Sequence, residues 1–288
     1  MIILLTGGNG FVGKNLVQRF ESKMKIIKGS NDLHIDVLNK QSFENIEKVD
    51  AIIHLAAKTS IPNSISNPYD TYYTNLVGTL NVLEFARKNA INKIINISTY
   101  VYGLPSYLPV DEVHPINPHS PYNKSKIISE NLSKYYSDDY GIDVVSLRPF
   151  YLYGPLGNPN FFIPSIIRQV KEKNEVIVSN KNTKRDFLFI DDFLDLVYKI
   201  LNNFPKGYNE FNVGHGESHT LEEIILLVGK IIGIKISIRS ENSIRPGDIT
   251  DMVADITKVS KFFDWKPNTD LDTGLRKTLS GYDLILKS

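Results

Sequence analysis

The sequence has no cysteine, one tryptophan and three methionines among its 288 residues. The absence of cysteine excludes disulfide bonds, thiolate catalysis and zinc–sulfur centres. An excess of charge of either sign is also missing, because 33 basic and 32 acidic residues leave a formal net charge of +1. No basic tail or stripe is present to attract a nucleic acid or an acidic membrane surface. We therefore expect no nucleic-acid or membrane partner.

Long hydrophobic runs are missing as well. The apolar run Ile2–Leu5 stops at Thr6-Gly7-Gly8, which is too short for a signal peptide or a membrane span. The composition, 42% hydrophobic and 23% charged, is ordinary for a globular protein. His215 and His219 have a metal-like spacing, but their glycine-containing loop argues against a ligand pair. We expect a cytoplasmic protein without a metal site.

Short strands alternate with amphipathic helices in the first half of the chain. Strands rich in Ile and Val are predicted at Ile2–Thr6, Lys25–Lys28, Asp50–Leu55, Ile94–Ser98 and Asp143–Leu147. Helices are predicted between them at Phe11–Ser22, Asp70–Asn89 and Tyr122–Tyr140. Alternation of this kind is typical of an α/β fold with a doubly wound parallel sheet.

A glycine-rich turn joins the first strand to the first helix. Gly7, Gly10 and Gly13 let the backbone turn sharply and approach a pyrophosphate at the helix N-terminus, beside Phe11 and Val12. This context predicts a Rossmann-type dinucleotide-binding domain over residues 1–152, with a returning segment near 183–204. The changed pattern of residues 153–288 predicts a smaller mixed α/β substrate-binding domain.

Three side chains form the predicted catalytic group. Tyr122 and Lys126 are four residues apart, one helical turn along the same face. An ammonium there, with the positive nicotinamide ring of a bound cofactor nearby, should lower the pKa of the phenol, which could then exchange a proton with a sugar hydroxyl or ketone. Ser98 ends a predicted strand at the carboxyl edge of the sheet, where its hydroxyl can bind the reacting oxygen.

Taken together, these motifs make the chain resemble extended short-chain dehydrogenases/reductases of the nucleotide-sugar epimerase/dehydratase family, UDP-glucose 4-epimerase among them. The similarity runs from about Ile2 to Lys277. Further matching segments are His54-Leu55-Ala56-Ala57, Val101-Tyr102-Gly103, Arg148-Pro149, Arg185-Asp186-Phe187, Phe211-Asn212-Val213-Gly214 and Arg245-Pro246-Gly247-Asp248.

The resemblance implies roles for individual residues. Asp36 and Val37 would meet the adenine, and Asn75 would lie near the cofactor. The other implied dinucleotide contacts are Leu55, Ala56, Ala57, Tyr122, Lys126 and Pro149. A nucleoside-diphosphate sugar would be the substrate. Its contacts would include Ser98 and Tyr151, with Arg185 and Arg245 on the diphosphate and Asp248 near the ribose. In this family the helix carrying Tyr69, Tyr72 and Tyr73 often belongs to a dimer interface, so a homodimer is expected.

The chain departs from the family pattern at three places. Sugar 4,6-dehydratases carry acidic residues where this chain has Thr99 and Tyr100, so a dehydratase is not expected. The acid that usually binds the ribose in NAD-selective members is missing, and Lys28 and Ser30 could receive the 2′-phosphate of NADP instead. A shortened loop with no cofactor preference is the alternative. Tyr151 stands where epimerases commonly have asparagine.

The expected function is an NAD(P)-dependent enzyme that transfers hydride at hexose C4. A 4-keto-sugar nucleotide reductase is slightly favoured over a C4-epimerase, and NADP or NAD is the expected cofactor. A non-catalytic dinucleotide-binding protein is the alternative of another class, and Ser98, Tyr122 and Lys126 argue against it. A place in polysaccharide biosynthesis is implied by the resemblance alone.

Overall fold

The computed structural model describes residues 1–28, 35–241 and 249–284. The chain forms two compact units. The first contains Met1–Gly103, Pro115–Pro149 and Val197–Phe211, and the second contains Leu104–His114, Phe150–Leu196 and the rest from Asn212 onward. The domain limits expected from the sequence remain a prediction.

A six-stranded sheet forms the centre of the first unit. Its strands are β1 (Ile2–Thr6), β2 (Lys25–Lys28), β3 (Ala51–His54), β4 (Lys93–Ile97), β5 (Asp143–Pro149) and β9 (Tyr208–Val213), in the order β2-β1-β3-β4-β5-β9. Strands β1 to β5 pair in parallel, and the predicted doubly wound parallel sheet is confirmed. The winding direction reverses between β1 and β3, so the carboxyl ends of these strands form the place where such sheets bind ligands.

The described helices of the first unit pack around this sheet. They are α1 (Phe11–Phe20), α2 (Ile61–Ser66), α3 (Pro68–Tyr72), α4 (Gly78–Lys88) and α5 (Pro121–Tyr140). The helix predicted over residues 70–89 is interrupted, because Tyr73–Val77 form a π-helical turn between α3 and α4. Apolar periodicity alone does not reveal such a turn, since it shifts the backbone pairing without ending the helix.

Two small sheets lie in the described part of the second unit. Strands β6 (Tyr151–Tyr153), β8 (Lys184–Phe189) and β10 (Ser218–Thr220) form one, and β7 (Glu175–Val178) pairs with β11 (Ser237–Ser240) in the other. The helices described after α5 are α6 (Phe162–Lys173), α7 (Ile190–Asn202), α8 (Leu221–Ile232), α9 (Thr257–Phe263) and α10 (Leu271–Ser280). Strand β9 falls within residues 153–288, where the sequence predicted the substrate-binding domain, but it lies at the edge of the large sheet.

A buried ion pair fixes helix α5 to strand β5. The Arg148 guanidinium donates to both carboxylate oxygens of Glu130, at 2.6 Å from Nη2 and 3.0 Å from Nε. Its Nη1 donates to the Tyr102 hydroxyl at 3.0 Å. The side chains of Arg148 and Glu130 are only 5% and 3% exposed. Since a buried charge without a partner is costly, each of these groups depends on the other.

Replacing Arg148 with methionine should lower the free energy of unfolding by about 3–5 kcal/mol, because Glu130 would stay buried without the guanidinium that bonds both of its oxygens. Urea denaturation measures the loss. Arg87→Met is the matched control, since Arg87 pairs with Glu84 at the surface and should cost no more than about 1 kcal/mol. Equal losses in the two variants would contradict this account.

Candidate active site

The glycine turn after β1 brings two backbone segments into contact. Gly7 has a φ of +71°, and a Cβ there would lie 2.7 Å from the amide nitrogen of Ala56. A Cβ on Gly13 would lie 2.6 Å from the carbonyl oxygen of Gly7. Any larger residue at either position would collide with main-chain atoms, so the turn needs glycine for its close packing.

Helix α1 begins directly after this turn, and no side chain among the described residues caps its N-terminus. Gly10 is the N-cap residue and no acidic residue lies in the first turn. Phe11 and Val12 follow, both half-buried. Unpaired amide groups at a helix N-terminus attract an anion. The residues here therefore fit the pyrophosphate of a dinucleotide.

The residues expected to line the rest of the dinucleotide lie close to this turn. Leu55, Ala56 and Ala57 are half-buried and follow the carboxyl end of β3. Val37 is buried beneath helix α4, where its carbonyl accepts a hydrogen bond from Asn81 at 2.8 Å. The Asp36 carboxylate accepts the amide of Leu38 at 2.9 Å, so part of its hydrogen-bonding capacity is already used.

Lys28 ends strand β2 beside the glycine turn. A Cβ on Gly8 would lie 3.2 Å from the Cβ of Lys28, so the lysine stem packs directly on the turn. Its side chain is therefore close to the place where the cofactor ribose would lie if the dinucleotide binds at this turn. Ser30, the other expected contact, lies outside the described residues.

Ser98 lies immediately beyond strand β4. Its amide donates to the carbonyl of Leu147 in β5 at 2.7 Å, which fixes the backbone. The residue is 3% exposed, and its hydroxyl oxygen is buried without a hydrogen-bond partner in the described part of the chain. A buried hydroxyl usually has a partner. This one is therefore suited to bind an oxygen of a ligand.

Tyr122 lies in the first turn of α5. Burial raises the pKa of Tyr122 to about 12, even though a hydrogen bond with the Thr99 side chain lowers it. The sequence led us to expect that Lys126 and the positive nicotinamide ring together depress this pKa, and that expectation for the cofactor-bound protein stays a prediction. In the chain by itself, the loss of solvent penalises the phenolate more than nearby groups stabilise it. The phenol is thus a protonated donor at neutral pH.

Lys126 lies one turn further along α5 and is 5% exposed. Burial lowers the pKa of Lys126 to about 8, and the nearby Glu130 carboxylate partly opposes this by raising it. The chain therefore holds a buried ammonium one helical turn from Tyr122 at the cost of its own solvation. Stabilisation of a Tyr122 phenolate by this charge remains a prediction.

Asn75 lies in the π-helical turn and holds two parts of the site together. Its side chain bonds the backbone of Lys58 in both directions, accepting at 2.8 Å and donating at 3.1 Å. It also donates to the Ser125 hydroxyl at 2.8 Å, next to Lys126. Asn75 thus joins the segment that follows Ala57 to the helix that carries Tyr122.

Two of the expected substrate contacts, Tyr151 and Arg185, form hydrogen bonds within the second unit. The Tyr151 hydroxyl accepts the amide of Phe162 at 3.0 Å, and Arg185 donates to the carbonyls of Lys184 and Ile249 at 2.7 and 2.8 Å. Both belong to the second unit. Arg245 and Asp248 lie outside the described residues, and Pro149 is buried at the end of β5.

Thr99 is the residue that sequence reasoning missed. It was considered only as a position lacking the dehydratase acid, whereas its hydroxyl bonds the Tyr122 phenol. Its place immediately after Ser98 was the available signal, because two consecutive hydroxyl residues follow the end of one strand. Glu130 was also missed. It lies one turn beyond Lys126, and i,i+4 spacing could have indicated the charge partner.

The glycine turn and the helix that follows it on a parallel sheet, with Ser98, Tyr122 and Lys126 as the predicted catalytic residues, are typical of enzymes of the short-chain dehydrogenase/reductase type. Residues 3–214 match the model of the NAD dependent epimerase/dehydratase family. The chain belongs to this family, and the expectation of an NAD(P)-dependent enzyme is confirmed.

Several relatives match nearly the whole chain. A putative UDP-glucose 4-epimerase of Methanocaldococcus jannaschii is 32% identical, covering 97% of both chains. A GDP-6-deoxy-D-talose 4-dehydrogenase of Aggregatibacter actinomycetemcomitans is 30% identical, covering 90% of both. Helices long and apolar enough to cross a membrane are absent from the part of the chain that the structure describes.

Solved structures show the same fold. RMD from Pseudomonas aeruginosa, complexed with NADPH, has a TM-score of 0.91 at 28% identity and covers 98% of both chains. The UDP-glucose 4-epimerase of Thermus thermophilus, complexed with NAD, has a TM-score of 0.88 at 26% identity, covering 98% of this chain and 99% of that one.

The buried ammonium of Lys126 gives a stability prediction. Its pKa of about 8 lies below the ordinary value of 10.5, so below pH 8 the folded state carries the full cost of the charge. A tenfold change in proton affinity corresponds to about 1.4 kcal/mol, so Lys126→Met should be more stable than the wild type by up to about 3 kcal/mol at pH 7.

This difference should narrow as the pH rises from 8 to 10.5, because the folded wild type then loses a proton that the unfolded chain keeps. Urea denaturation across this range measures it. Lys124→Met, at an exposed position of the same helix, should change stability by no more than about 0.5 kcal/mol at any pH. If the stability difference between Lys126→Met and the wild type did not change with pH, the lowered pKa assigned to Lys126 would be refuted.

Proposed function

We propose that this protein is an NADPH-dependent reductase of 4-keto nucleotide sugars. The observation that carries the proposal is the packing of the Lys28 stem on the glycine turn, where a cation suits the 2′-phosphate of NADP. A ketone that becomes an alcohol must receive a proton on its oxygen, and the neutral phenol of Tyr122 can supply it.

The residues of the site divide the work of this reaction. The hydride for C4 of the sugar would come from NADPH when it is bound at the glycine turn. The Ser98 hydroxyl, buried and without a partner in the described residues, donates a hydrogen bond to the carbonyl oxygen and orients it. Tyr122 transfers its proton to that oxygen, which completes the hydroxyl group. The Lys126 ammonium stabilises the resulting phenolate until a solvent proton replaces the one transferred.

The choice of NADPH rests on Lys28. Its stem packs on the glycine turn, and a cation at the end of the second strand suits the 2′-phosphate that distinguishes NADP from NAD. The similar structure of RMD contains NADPH, which supports the same choice. In the substrate, the diphosphate would be bound by Arg185 and Arg245, with Tyr151 and Asp248 as further contacts.

A C4-epimerase that keeps NAD bound is the second candidate. The similarity to a putative UDP-glucose 4-epimerase at 32% identity favours it. Such an enzyme must also remove a proton from the C4 hydroxyl, so the pKa of Tyr122 would have to fall well below about 12 once the oxidised cofactor binds. The two candidates therefore differ in which cofactor stays with the protein and in which protonation state starts the cycle.

The cofactor separates the candidates directly. The purified protein is denatured and any released dinucleotide is identified by mass spectrometry. We expect an empty site or NADP, followed by NADPH oxidation with a 4-keto-6-deoxy nucleotide sugar. Near-stoichiometric NAD, together with interconversion of UDP-glucose and UDP-galactose, would instead establish the epimerase.

Tyr122→Phe tests whether the protein is an enzyme that works as proposed. The variant loses the transferable proton but keeps the ring, so turnover should fall at least about 100-fold while dinucleotide affinity stays within about twofold. Stopped-flow NADPH oxidation and fluorescence titration measure the two quantities. Full turnover in this variant would refute the mechanism, and dinucleotide binding without turnover in the wild type would favour a non-catalytic binding protein.

A homodimer is part of the proposal. Large apolar side chains are exposed on α2, α3, the π-helical turn and α5 of the first unit. They include Ile65, Tyr69 (76% exposed), Tyr73, Ile128 and Tyr135. An exposed apolar surface of this kind is typical of a subunit interface. Sedimentation should show a dimer for the wild type and a monomer for Tyr69→Glu/Tyr73→Glu, whereas a monomeric wild type would exclude this assignment.

A further inference from the structure

A continuous line of hydrogen bonds connects the strand before the glycine turn to the helix that carries Tyr122. Its five bonds are Thr6–His54 at 2.8 Å, His54–Thr79 at 3.2 Å, Thr79 to the Asn75 carbonyl at 2.7 Å, Asn75 to Ser125 at 2.8 Å, and Ser125 to the Tyr122 carbonyl at 2.7 Å. All of these residues belong to the first unit.

The positions of the hydrogen atoms along this line follow from the bonds of Thr79, which lies in its middle. The Thr79 hydroxyl lies 2.7 Å from the Asn75 carbonyl and 3.2 Å from the Ser129 hydroxyl. Its single proton goes to the carbonyl, because that contact is shorter and a carbonyl can only accept. Thr79 must then accept from His54, so Nε2 of the imidazole carries the proton. Nδ1 is left as an acceptor and takes the hydroxyl proton of Thr6. Every donor therefore points in the same direction, from Thr6 towards Tyr122.

Each member of the line is buried. Thr6, His54 and Asn75 are each 2% exposed, Thr79 is 4% and Ser125 is 0%. Burial and the Lys126 ammonium lower the pKa of His54 to about 3, which keeps the ring neutral under physiological conditions. Only a neutral ring can both accept at one nitrogen and donate at the other. Buried bonds of this kind also strengthen one another through polarisation.

The two ends of the line lie at the two halves of the candidate site. Thr6 directly precedes Gly7, and its hydroxyl also accepts the amide of Ala56 at 3.3 Å. At the other end, Ser125 binds the carbonyl of Tyr122 itself. A displacement of about 1 Å between cofactor and catalytic group can cost about 100-fold in rate. A rigid connection between these ends would therefore matter for hydride and proton transfer.

We infer that His54 and Thr79 are positioning residues, which fix the start of helix α5 relative to the glycine turn through a unidirectional hydrogen-bond line containing His54 as its Nε2–H tautomer. The catalytic consequence of this inference rests on the function proposed above. The hydrogen-bonding pattern does not, because it can be observed in the protein without a substrate.

The first experiment determines the tautomer. Long-range ¹H–¹⁵N NMR of the ¹⁵N-histidine-labelled wild type distinguishes a protonated Nε2 from a protonated Nδ1. The ring signals of His54 are assigned through their correlation with the Cβ of the same residue. We expect the Nε2–H form, unchanged between about pH 5.5 and 8. The Nδ1–H form, or a protonated ring in this range, would overturn the inference. This measurement requires neither turnover nor a variant that folds.

The second experiment removes one bond. Thr79→Val keeps the shape of the side chain and deletes the hydroxyl, whereas Thr79→Ser restores it. Ser133→Ala is the control. The Ser133 hydroxyl donates to the Ser129 carbonyl within helix α5 and takes no part in the line. In [ζ-¹³C]tyrosine-labelled protein, the Tyr122 signal, assigned with Tyr122→Phe, should shift in Thr79→Val and stay in place in the other two variants.

The catalytic arm uses the same proteins. In Thr79→Val, kcat should fall about tenfold while KM for the dinucleotide stays within about twofold, and Thr79→Ser should recover most of kcat. An unshifted Tyr122 signal in folded Thr79→Val, or an equal change in Ser133→Ala, would overturn the inference. If no nucleotide sugar is turned over by the wild type, the proposed function fails, and the tautomer and the Tyr122 signal still decide the inference.

Discussion

Helix α5 packs into the first unit through a polar face, and the rest of the site depends on this constraint. Its buried residues are Asn123, Ser125, Lys126, Ser129, Glu130, Ser133 and Ser137. Helices normally bury an apolar stripe, because burying polar groups costs free energy unless each finds a partner. The partners must therefore be supplied at fixed positions by the neighbouring strand β5, the π-helical turn and helix α4.

These partners account for buried polar residues on strand β5, the π-helical turn and helix α4. Arg148 in β5 neutralises Glu130, the Asn75 side chain donates to the Ser125 hydroxyl, and the hydroxyls of Thr79 and Ser129 lie 3.2 Å apart. The π-helical turn places Asn75 where its side chain reaches both the Lys58 backbone and Ser125. Because the serine side chains of α5 are small, they also let helices α4 and α5 approach closely. The same packing that stabilises the unit thus orients Tyr122 and Lys126.

The polar face also sets the proton chemistry of the site. Removing Lys126 from water lowers its pKa, and removing Tyr122 from water raises its pKa. Each shift favours the neutral form of its group, so the folded chain by itself holds, on one helix, a proton donor and a cation that burial has made less stable. Thr99 and Glu130 moderate the shifts, so residues just outside the expected catalytic group tune the residues within it.

Local patterns in the chain were enough to predict the parallel sheet and the glycine turn, and they selected Ser98, Tyr122 and Lys126 as a catalytic set that stays a prediction, because apolar periodicity, glycine spacing and i,i+4 spacing are properties of neighbouring residues. Tertiary packing was needed for the direction of the Tyr122 pKa, the π-helical turn, the Thr99 contact and the line through His54. Each of these depends on groups from distant segments meeting in a water-free interior, where solvation and hydrogen-bond direction are set by residues that no local pattern connects.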